Sequence, residues 1–353
     1  MGARHAPSGQ RHPLPRRQLD IVSIGAGDIV RVAHLPAYRR AGYRIRGVFD
    51  RRSAAARTIA RAAGGAVVHA SLEAAFAERD VVFDVAVPPG EVLGIVERAP
   101  RGAAVLVQKP LGRDLREARA IVAAARRRRL HLAVHFQLRF APAILELRRR
   151  LARGELGALR EIEMRVVTHT HFERWSFLAA APRLEVLYHS VHYLDLLRGL
   201  CGEPLTVAAH LSRDPAFPGL ADTRSAIELT FRDGVRGAIR TDHASALEPA
   251  ARLSELRVEG DRGAARLRLG VNLDYAAPPP DAFTLTRRAR GRSVPLSGSW
   301  FPDAFAGPMS NLQRYVRGED AELHTRASDA LRTMELVELC YRSSARGRTL
   351  RFA

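Results

Sequence analysis

Among the residues able to do chemistry, one type occurs once. Lys+Arg is 56, of which 55 are arginine, and Lys109 is the only lysine. It closes the apolar run of VLVQKPLG (105–112), just before Pro110. An ammonium is compact, rotates its donors and loses its proton readily on burial, and a guanidinium does none of these. A solvated surface cation needs no such properties, so Lys109 is expected to be a working group. A second set lies in LEVLYHSVHYLDLLRGL (184–200). At helical spacing His189, His192 and Asp195 share a stripe, and Tyr188 stands one turn before His192. Two imidazoles and a phenol on one helix can move protons. The same residues also suit the polar side of an ordinary amphipathic helix that buries Leu187, Val191, Leu194 and Leu197. His169 and His171 add an HxH pattern upstream. With the helix histidines a zinc-type site is chemically conceivable. No fixed ligand spacing supports it, and no metal is expected.

Chemistry at Lys109 depends on the elements that hold it. Residues 19–24 are a short apolar run rich in β-branched types, hence a buried strand. Gly25 and Gly27 end it, and a helix pattern starts at about Ile29, just after Asp28. Strand, glycine turn and helix N-terminus together hold a dinucleotide pyrophosphate. The first glycine allows the tight turn, the second lets backbone approach phosphate, and the helix supplies N–H donors. Val30 stands where a third glycine is usual, which implies wider helix–strand packing. The next strand (43–49) ends in Asp50, 25 residues after Gly25. An acid there accepts the adenosine ribose hydroxyls. Arg51 and Arg52 follow directly and could instead hold a 2′-phosphate, and Asp50 could simply cap the helix from Ser53. NAD is favoured and NADP stays open.

The alternation of strand and helix continues. A strand at 66–68 precedes a helix from about 71. VVFDVAVPPG is a strand that runs into Pro88, followed by a helix to about 98. Residues 103–107 are a fully apolar strand with Gln108 and Lys109 at its carboxyl end. A helix at 114–128 and the strand HLAVHF follow. In an open parallel sheet ligands bind at the carboxyl ends of strands. Gly25, Asp50, Pro88 and Lys109 all fall at such ends.

Past Phe140 the rhythm changes. A helix (141–153) leads to REIEMRVVTHT, LTVAAHLS, SAIELTFR, VRGAIRTDH, SELRVEG, AARLRLG and FTLTRRA. Strands in succession mean an antiparallel sheet. Two helices, at about 303–317 and 326–344, close the chain. The expected fold class is α/β: an N-terminal Rossmann dinucleotide-binding domain (19–140), then an α+β domain with an open, mainly antiparallel sheet (141–353). One face of that sheet is expected to be apolar and uncovered, which argues for a homodimer or homotetramer packed through it. The loop THTHFERWSFLAAAPR (168–183) is expected to border a substrate through His171, Trp175 and Arg183. Trp175 suits the apolar face of a ring, and suits a core equally.

The chain has 353 residues and is 46% hydrophobic, ample for two domain cores. No apolar run approaches the ~18 residues of a membrane span. The first 18 residues carry four arginines, three prolines and no acid. They lack the apolar stretch of a signal peptide. Arg16-Arg17 suggests twin-arginine export, but no small-residue cleavage site follows, and 1–18 reads as a basic disordered tail. Cys201 and Cys340 lie far apart and suggest no disulfide framework, so a cytoplasmic location is expected. The net charge is +19. Its arginines are spread along the chain, as at 126–129 and 148–150, and read as solvated helix faces with a weak pull on anionic ligands. No nucleic-acid or membrane partner is expected.

GAGDIVRVAHLPA, VFD, VAVPPG, VLVQKPL and YHSVHYLDLLRGLCGEP together resemble the Gfo/Idh/MocA oxidoreductases, from about Leu19 onward. RASDALRTMELVELCYRSSARGRTLRF is similar to the family's closing helix and strand. The lysine–proline motif with the histidine helix downstream is the specific part. The resemblance implies NAD(H)- or NADP(H)-dependent oxidation or reduction at a hydroxyl or carbonyl of a sugar, inositol or related polyol. It implies catalytic roles for Lys109 and His192, and oligomers. Two departures stand out. Gln108 occupies a place commonly held by glutamate. Tyr188 occupies the place, four residues before the histidine, where many members carry aspartate. Either Tyr188 or His189 takes that role, or the chain is a non-catalytic dinucleotide-binding sensor or regulator on the same fold.

Overall fold

The computed structural model describes residues 9–172, 176–275, 277–288 and 290–352. Their contacts form two compact units. Among the described residues, one holds His12–Phe140 and Pro302–Met334; the other holds 9–11, 141–301 and 335–352.

In the first unit, among the described residues, six strands form a parallel sheet. They are β1 (Asp20–Ile24), β2 (Ile45–Phe49), β3 (Val67–Val68), β4 (Val81–Val85), β5 (Ala104–Val107) and β6 (His131–Val134). Their order is β3-β2-β1-β4-β5-β6, which reverses between β1 and β4. That reversal is where a doubly wound sheet opens a crevice for ligand. A parallel sheet is covered on both faces, so its central strands are apolar throughout. Ile21, Val22, Val82, Val85, Leu106 and Val107 are all 0% exposed. Two buried polar residues interrupt the runs, Ser23 on β1 and Asp84 on β4.

Pro302–Met334 groups with this unit, whereas the whole of 141–353 was expected in the second domain. The reason lies in the helix Ala306–Val316. Its Met309 and Leu312 are fully buried with Ile21, Val30, Val82 and Leu106, so its apolar side completes the Rossmann core. The expectation of a disordered tail is corrected from residue 9 onward. The Ser310 hydroxyl donates to the Pro13 carbonyl at 2.5 Å, and His12 bonds Asp320 at 2.8 Å. Within the other unit Gln10 is 1% exposed, donating to the Pro295 carbonyl and accepting the Ser297 N–H.

The second unit carries a nine-stranded sheet among its described residues. Its strands are β7 (Leu159–Val167), β8 (Thr206–Ser212), β9 (Arg224–Thr230), β10 (Arg236–Asp242), β11 (Leu253–Gly260), β12 (Gly263–Arg268), β13 (Ala282–Arg287), β14 (Arg290–Ser293) and β15 (Leu350–Arg351). The order is β14-β13-β12-β11-β7-β10-β9-β8-β15. Only β7 and β10 run parallel; every other neighbouring pair is antiparallel. The seven strand-like runs read from the sequence became β7 to β13. β14, four residues long with no apolar side chain, has no pattern to find.

Two expectations fail here. The sheet's second face is not apolar. Alternation of period two turns Ile162, Met164, Ile227, Ile239, Leu256 and Val258 to the buried side and leaves charges between them. On that other face Glu163 lies opposite Arg257, Arg165 opposite Glu255, and Arg236 pairs with Glu161 at 2.6 Å. Nor are Arg148 to Arg150 a solvated face. Arg148 donates to the Gly199 carbonyl at 2.8 Å, and Arg149 and Arg150 both pair with Glu146, which is 2% exposed. Among the described residues no helix is long and apolar enough to cross a membrane.

Candidate functional site

In the first unit the backbone register brings the candidate residues to one edge. Ile24 lies level with Phe49 and Val85, and Val85 with Val107. Gly25, Asp50, Pro88 and Lys109 therefore leave their strands at the same end. Gly25 has φ +104°, and a Cβ on it would overlap the Ala86 carbonyl, so only glycine serves this turn. A Cβ on Gly27 would meet nothing within 4 Å. That open space is what close approach of a phosphate requires. Asp50 accepts the Ala26 N–H on Oδ2 and the Arg52 N–H on Oδ1, both at 2.8 Å. Asp50 thus clamps the glycine turn. It does not cap the helix Ser53–Ala62, whose cap position is Arg52 with no side-chain bond. Asp28 accepts from Arg31 at 2.5 Å, and Ile29 packs against the core. Val30, in the third-glycine place, is fully buried and begins a π-helical turn, Val30–His34. Arg51 is exposed and donates to Glu91 at 3.1 Å. Pro88 precedes the helix Pro89–Arg98. These residues fit a dinucleotide with an acid at its ribose.

Lys109 follows β5, with a cis peptide bond to Pro110. Burial pulls its ammonium down to about 8. Both protonation states therefore lie within reach near neutral pH. Gln108, 9% exposed, is turned inward. Its Oε1 accepts the Lys109 N–H at 2.9 Å, and its Nε2 stands 2.9 Å from His34 Nε2. His34 Nδ1 is 2.7 Å from Asp84 Oδ2, which also accepts the Tyr38 hydroxyl at 3.0 Å. Sequence reasoning passed over His34 and Asp84. The available signal was an acid inside the apolar strand VVFDV, since a buried charge requires a partner.

In the second unit Tyr188 and His189 occupy a π-helical turn, Val186–Ser190, and His192 the helix Val191–Cys201 that continues it. A π turn holds more residues than an α turn, which breaks the regular stripe expected through His189, His192 and Asp195. The segment is not amphipathic either. Every residue from Leu184 to Arg198 except His189 is buried. Asp222 fastens its start: the N–H groups of Leu184, Glu185 and Val186 donate to its carboxylate at 2.9, 3.0 and 3.4 Å. The Tyr341 hydroxyl adds a fourth bond at 3.0 Å.

His192 meets the Trp300 indole edge to face, with ring centroids 5.6 Å apart. His189 stacks on His243 at 4.0 Å and 12°. Tyr188 lies against Phe177 at 5.8 Å. Glu185, 0% exposed, accepts the Ser190 hydroxyl at 2.6 Å, and His243 Nε2 is 3.9 Å from the same oxygen. Burial pushes Glu185 up to about 7. Glu185, His243 and Trp300 were not singled out from the sequence. Glu185 sits within the histidine motif, three residues before Tyr188; the other two reach it only through the fold. His171 is exposed, 5.1 Å from His169 between ring centroids. Arg183 pairs with Glu338 at 2.5 Å and lies over the Tyr341 ring at 4.5 Å. Trp175 lies outside the described residues. Among the described residues no cluster of His, Cys, Asp or Glu is arranged to hold a metal.

A glycine turn, an acid after the second strand and a half-buried amine on one edge of a 3-2-1-4-5-6 sheet, with a second unit of mainly antiparallel strands, define a two-domain dinucleotide-binding protein. A family model described as an oxidoreductase family with an NAD-binding Rossmann fold matches residues 19–136, and a GFO/IDH/MocA C-terminal domain model matches 144–266. The chain belongs to the Gfo/Idh/MocA oxidoreductase family. D-apiose dehydrogenase of Paraburkholderia graminis is 31% identical over 283 residues, 78% of this chain and 73% of that one. Inositol 2-dehydrogenase of Rhizobium meliloti is 24% identical over 351 residues, 94% of this chain and 98% of that one. An oxidoreductase from Agrobacterium radiobacter, solved with NAD+, L-tartaric acid and magnesium, shares the fold. Its TM-score is 0.79 at 22% identity, over 95% of this chain and 99% of that one.

Proposed function

We propose that the protein transfers a hydride between a nicotinamide dinucleotide and the CH–OH or C=O carbon of a sugar, an inositol or a related polyol. The bound dinucleotide supplies the hydride chemistry; the protein supplies binding, orientation and proton transfer. The observation that carries the reading is the only lysine, its amine drawn down to about 8, on the sheet edge that also holds the glycine turn and Asp50. The names of the relatives, D-apiose dehydrogenase and inositol 2-dehydrogenase, support the substrate class.

Gly25, Gly27 and the helix opening at Asp28 and Ile29 hold the pyrophosphate. Asp50 holds the ribose, which favours NAD(H). Arg51, Pro88 and Gln108 flank the cofactor. Lys109 donates to the substrate oxygen and stabilises the charge that develops there. In the oxidation direction His192 receives the hydroxyl proton, its ring held edge-on by Trp300. Either Tyr188 or His189 takes the role of the missing aspartate, with Glu185 close by in sequence as a carboxyl that holds a proton near pH 7. His171, Trp175 and Arg183 border the substrate. We assign the protein to the cytoplasm, Cys201 and Cys340 being unbridged thiols, and to a homodimer or homotetramer. Neither nucleic acid nor membrane is a partner.

The buried phenol of Tyr188, in place of an aspartate, favours a second reading: a dinucleotide-binding sensor without turnover. Calorimetric titration with NAD(H) and NADP(H), followed by an absorbance screen of D-apiose, other aldoses and inositols at the reduced-nicotinamide band, separates the two. Turnover on one member of the panel is expected. Tight cofactor binding with no turnover across the panel would establish the sensor instead.

A further inference from the structure

The structure assigns a positioning role to a buried chain of hydrogen bonds that ends on Lys109: Asp84, His34 and Gln108 hold the Lys109 peptide, with His34 neutral and its proton on Nδ1. The functional weight of this relay rests on the reading of Lys109 as a working group. The relay itself stands on geometry.

Each link fixes the next. The Lys109 N–H lies 2.9 Å from one end of the Gln108 amide. A backbone N–H can only donate, so that end is the oxygen. The other end, the NH2, then faces His34 Nε2 at 2.9 Å and donates to it. Nε2 must therefore carry no proton, which puts the proton on Nδ1, 2.7 Å from Asp84 Oδ2. The Tyr38 hydroxyl gives Asp84 a second donor at 3.0 Å. Reversing the amide would set two donors against each other at Lys109, and protonating His34 would do the same at Nε2. All four groups are thus locked in one direction.

The surroundings agree with this assignment. His34 and Asp84 are 0% and 1% exposed. Besides Tyr38, the rings packed on His34 are Phe305 at 5.4 Å and His135 at 4.7 Å. Burial brings His135 down to about 3, so it adds no charge. Among the described residues Asp84 is the charged group that faces His34. The Gln108 NH2 facing Nε2 leaves no place there for a second imidazole proton. A carboxylate at 108 would reverse the logic. It would accept from the Lys109 N–H and from a protonated His34, placing His34 as a cation between two acids. Glutamine keeps the group beside Lys109 uncharged and leaves the amine's proton affinity to burial.

Because Lys109 is the only lysine, its amine can be titrated in the full chain. The experiment labels the protein with acetic anhydride across pH 6 to 10 and counts acetylation at Lys109 by mass spectrometry. Nitrogen NMR of the histidines is run in parallel, with His34 assigned from His34→Gln. The native chain should show His34 as the neutral Nδ1–H form at pH 7. Gln108→Glu should turn His34 into an imidazolium at pH 7 and cut the labelling rate of Lys109 at pH 8 about fivefold, the fall in free amine there when a midpoint of about 8 rises by one unit. His34→Ala should lower kcat with little change in dinucleotide affinity, and His34→Gln, which can still accept from Gln108 and donate to Asp84, should recover part of it. A native His34 carrying its proton on Nε2, or on both nitrogens, would overturn the relay. So would a Gln108→Glu chain in which neither signal moves. If both signals move as expected while turnover is untouched in every variant, the relay stands and the catalytic reading of Lys109 falls.

Discussion

Arginine supplies every other lysine-or-arginine position in this chain, so Lys109→Arg asks whether the shape and titration of the cation matter. A guanidinium is larger, planar and keeps its proton. At a surface site the change would be neutral, within ~0.5 kcal/mol. At the site proposed here the variant should fold, bind dinucleotide and lose turnover by roughly 10²-fold, the cost of a misplaced group. Steady-state kinetics beside calorimetry measures both. The native rate of oxidation should fall as pH rises through about 8, where Lys109 loses the charge proposed to stabilise the substrate oxygen. Asp50 gives a second test at this scale. It holds the Ala26 N–H and is proposed to hold the ribose, so Asp50→Ala should weaken NAD(H) about tenfold or more, the loss of a charged hydrogen bond. NADP(H), which Asp50 repels, should lose less. Calorimetry that finds NADP(H) preferred by the native chain would remove the argument. The lysine and the acid were legible in the sequence because each follows an apolar strand. His34 was not, since what marks it is its bond to Asp84, 50 residues away.

At the scale of the element, the segment 184–201 is held by groups that no periodicity reveals. Helical spacing of its apolar residues announces a helix, but spacing cannot announce the π turn that carries Tyr188 and His189. Nor can it show burial on all sides, which depends on what packs against the segment. Glu185 shows the consequence. In the unfolded chain it releases its proton at the ordinary carboxyl value of about 4.3, whereas in the fold burial delays this to about 7. The folded state therefore holds the extra proton, and stability falls as pH rises between those values. The loss amounts to something on the order of 3 kcal/mol. Glu185→Gln keeps an oxygen for the Ser190 hydroxyl and removes the charge. It should match the native chain near pH 4 and exceed it at pH 8, as read by urea unfolding at both values. Equal stability at both would mean that Glu185 titrates normally.

For the whole molecule, the charge of +19 opposes association of copies. The outer face of the β7–β13 sheet is an exception, because its arginines stand beside acids: Glu163 opposite Arg257, Arg165 opposite Glu255, Arg236 on Glu161. Copies can meet there without net repulsion. The proposed homodimer or homotetramer should then be seen by light scattering at micromolar concentration and should weaken in high salt, since exposed pairs are screened. A monomer at low salt would defeat it. The apolar interface first expected would have responded in the opposite way, strengthening as salt rose.

What the sequence determined by itself is what depends on local pattern. Apolar runs that end in Gly25, Asp50 and Lys109 specify a parallel nucleotide-binding sheet, and alternation of period two specifies the strands that follow. The lysine–proline motif and the histidine segment, being contiguous, mark the family. Only the tertiary structure decided which distant groups meet. Met309 and Leu312 complete the core begun by Ile21 because burying them there removes apolar surface from water. Trp300 reaches His192, and His243 reaches His189, through strands and loops remote in the chain. Asp84 finds His34 because a charge buried between helix and sheet must be hydrogen-bonded. These are long-range pairings set by packing and desolvation, and no local spacing encodes them.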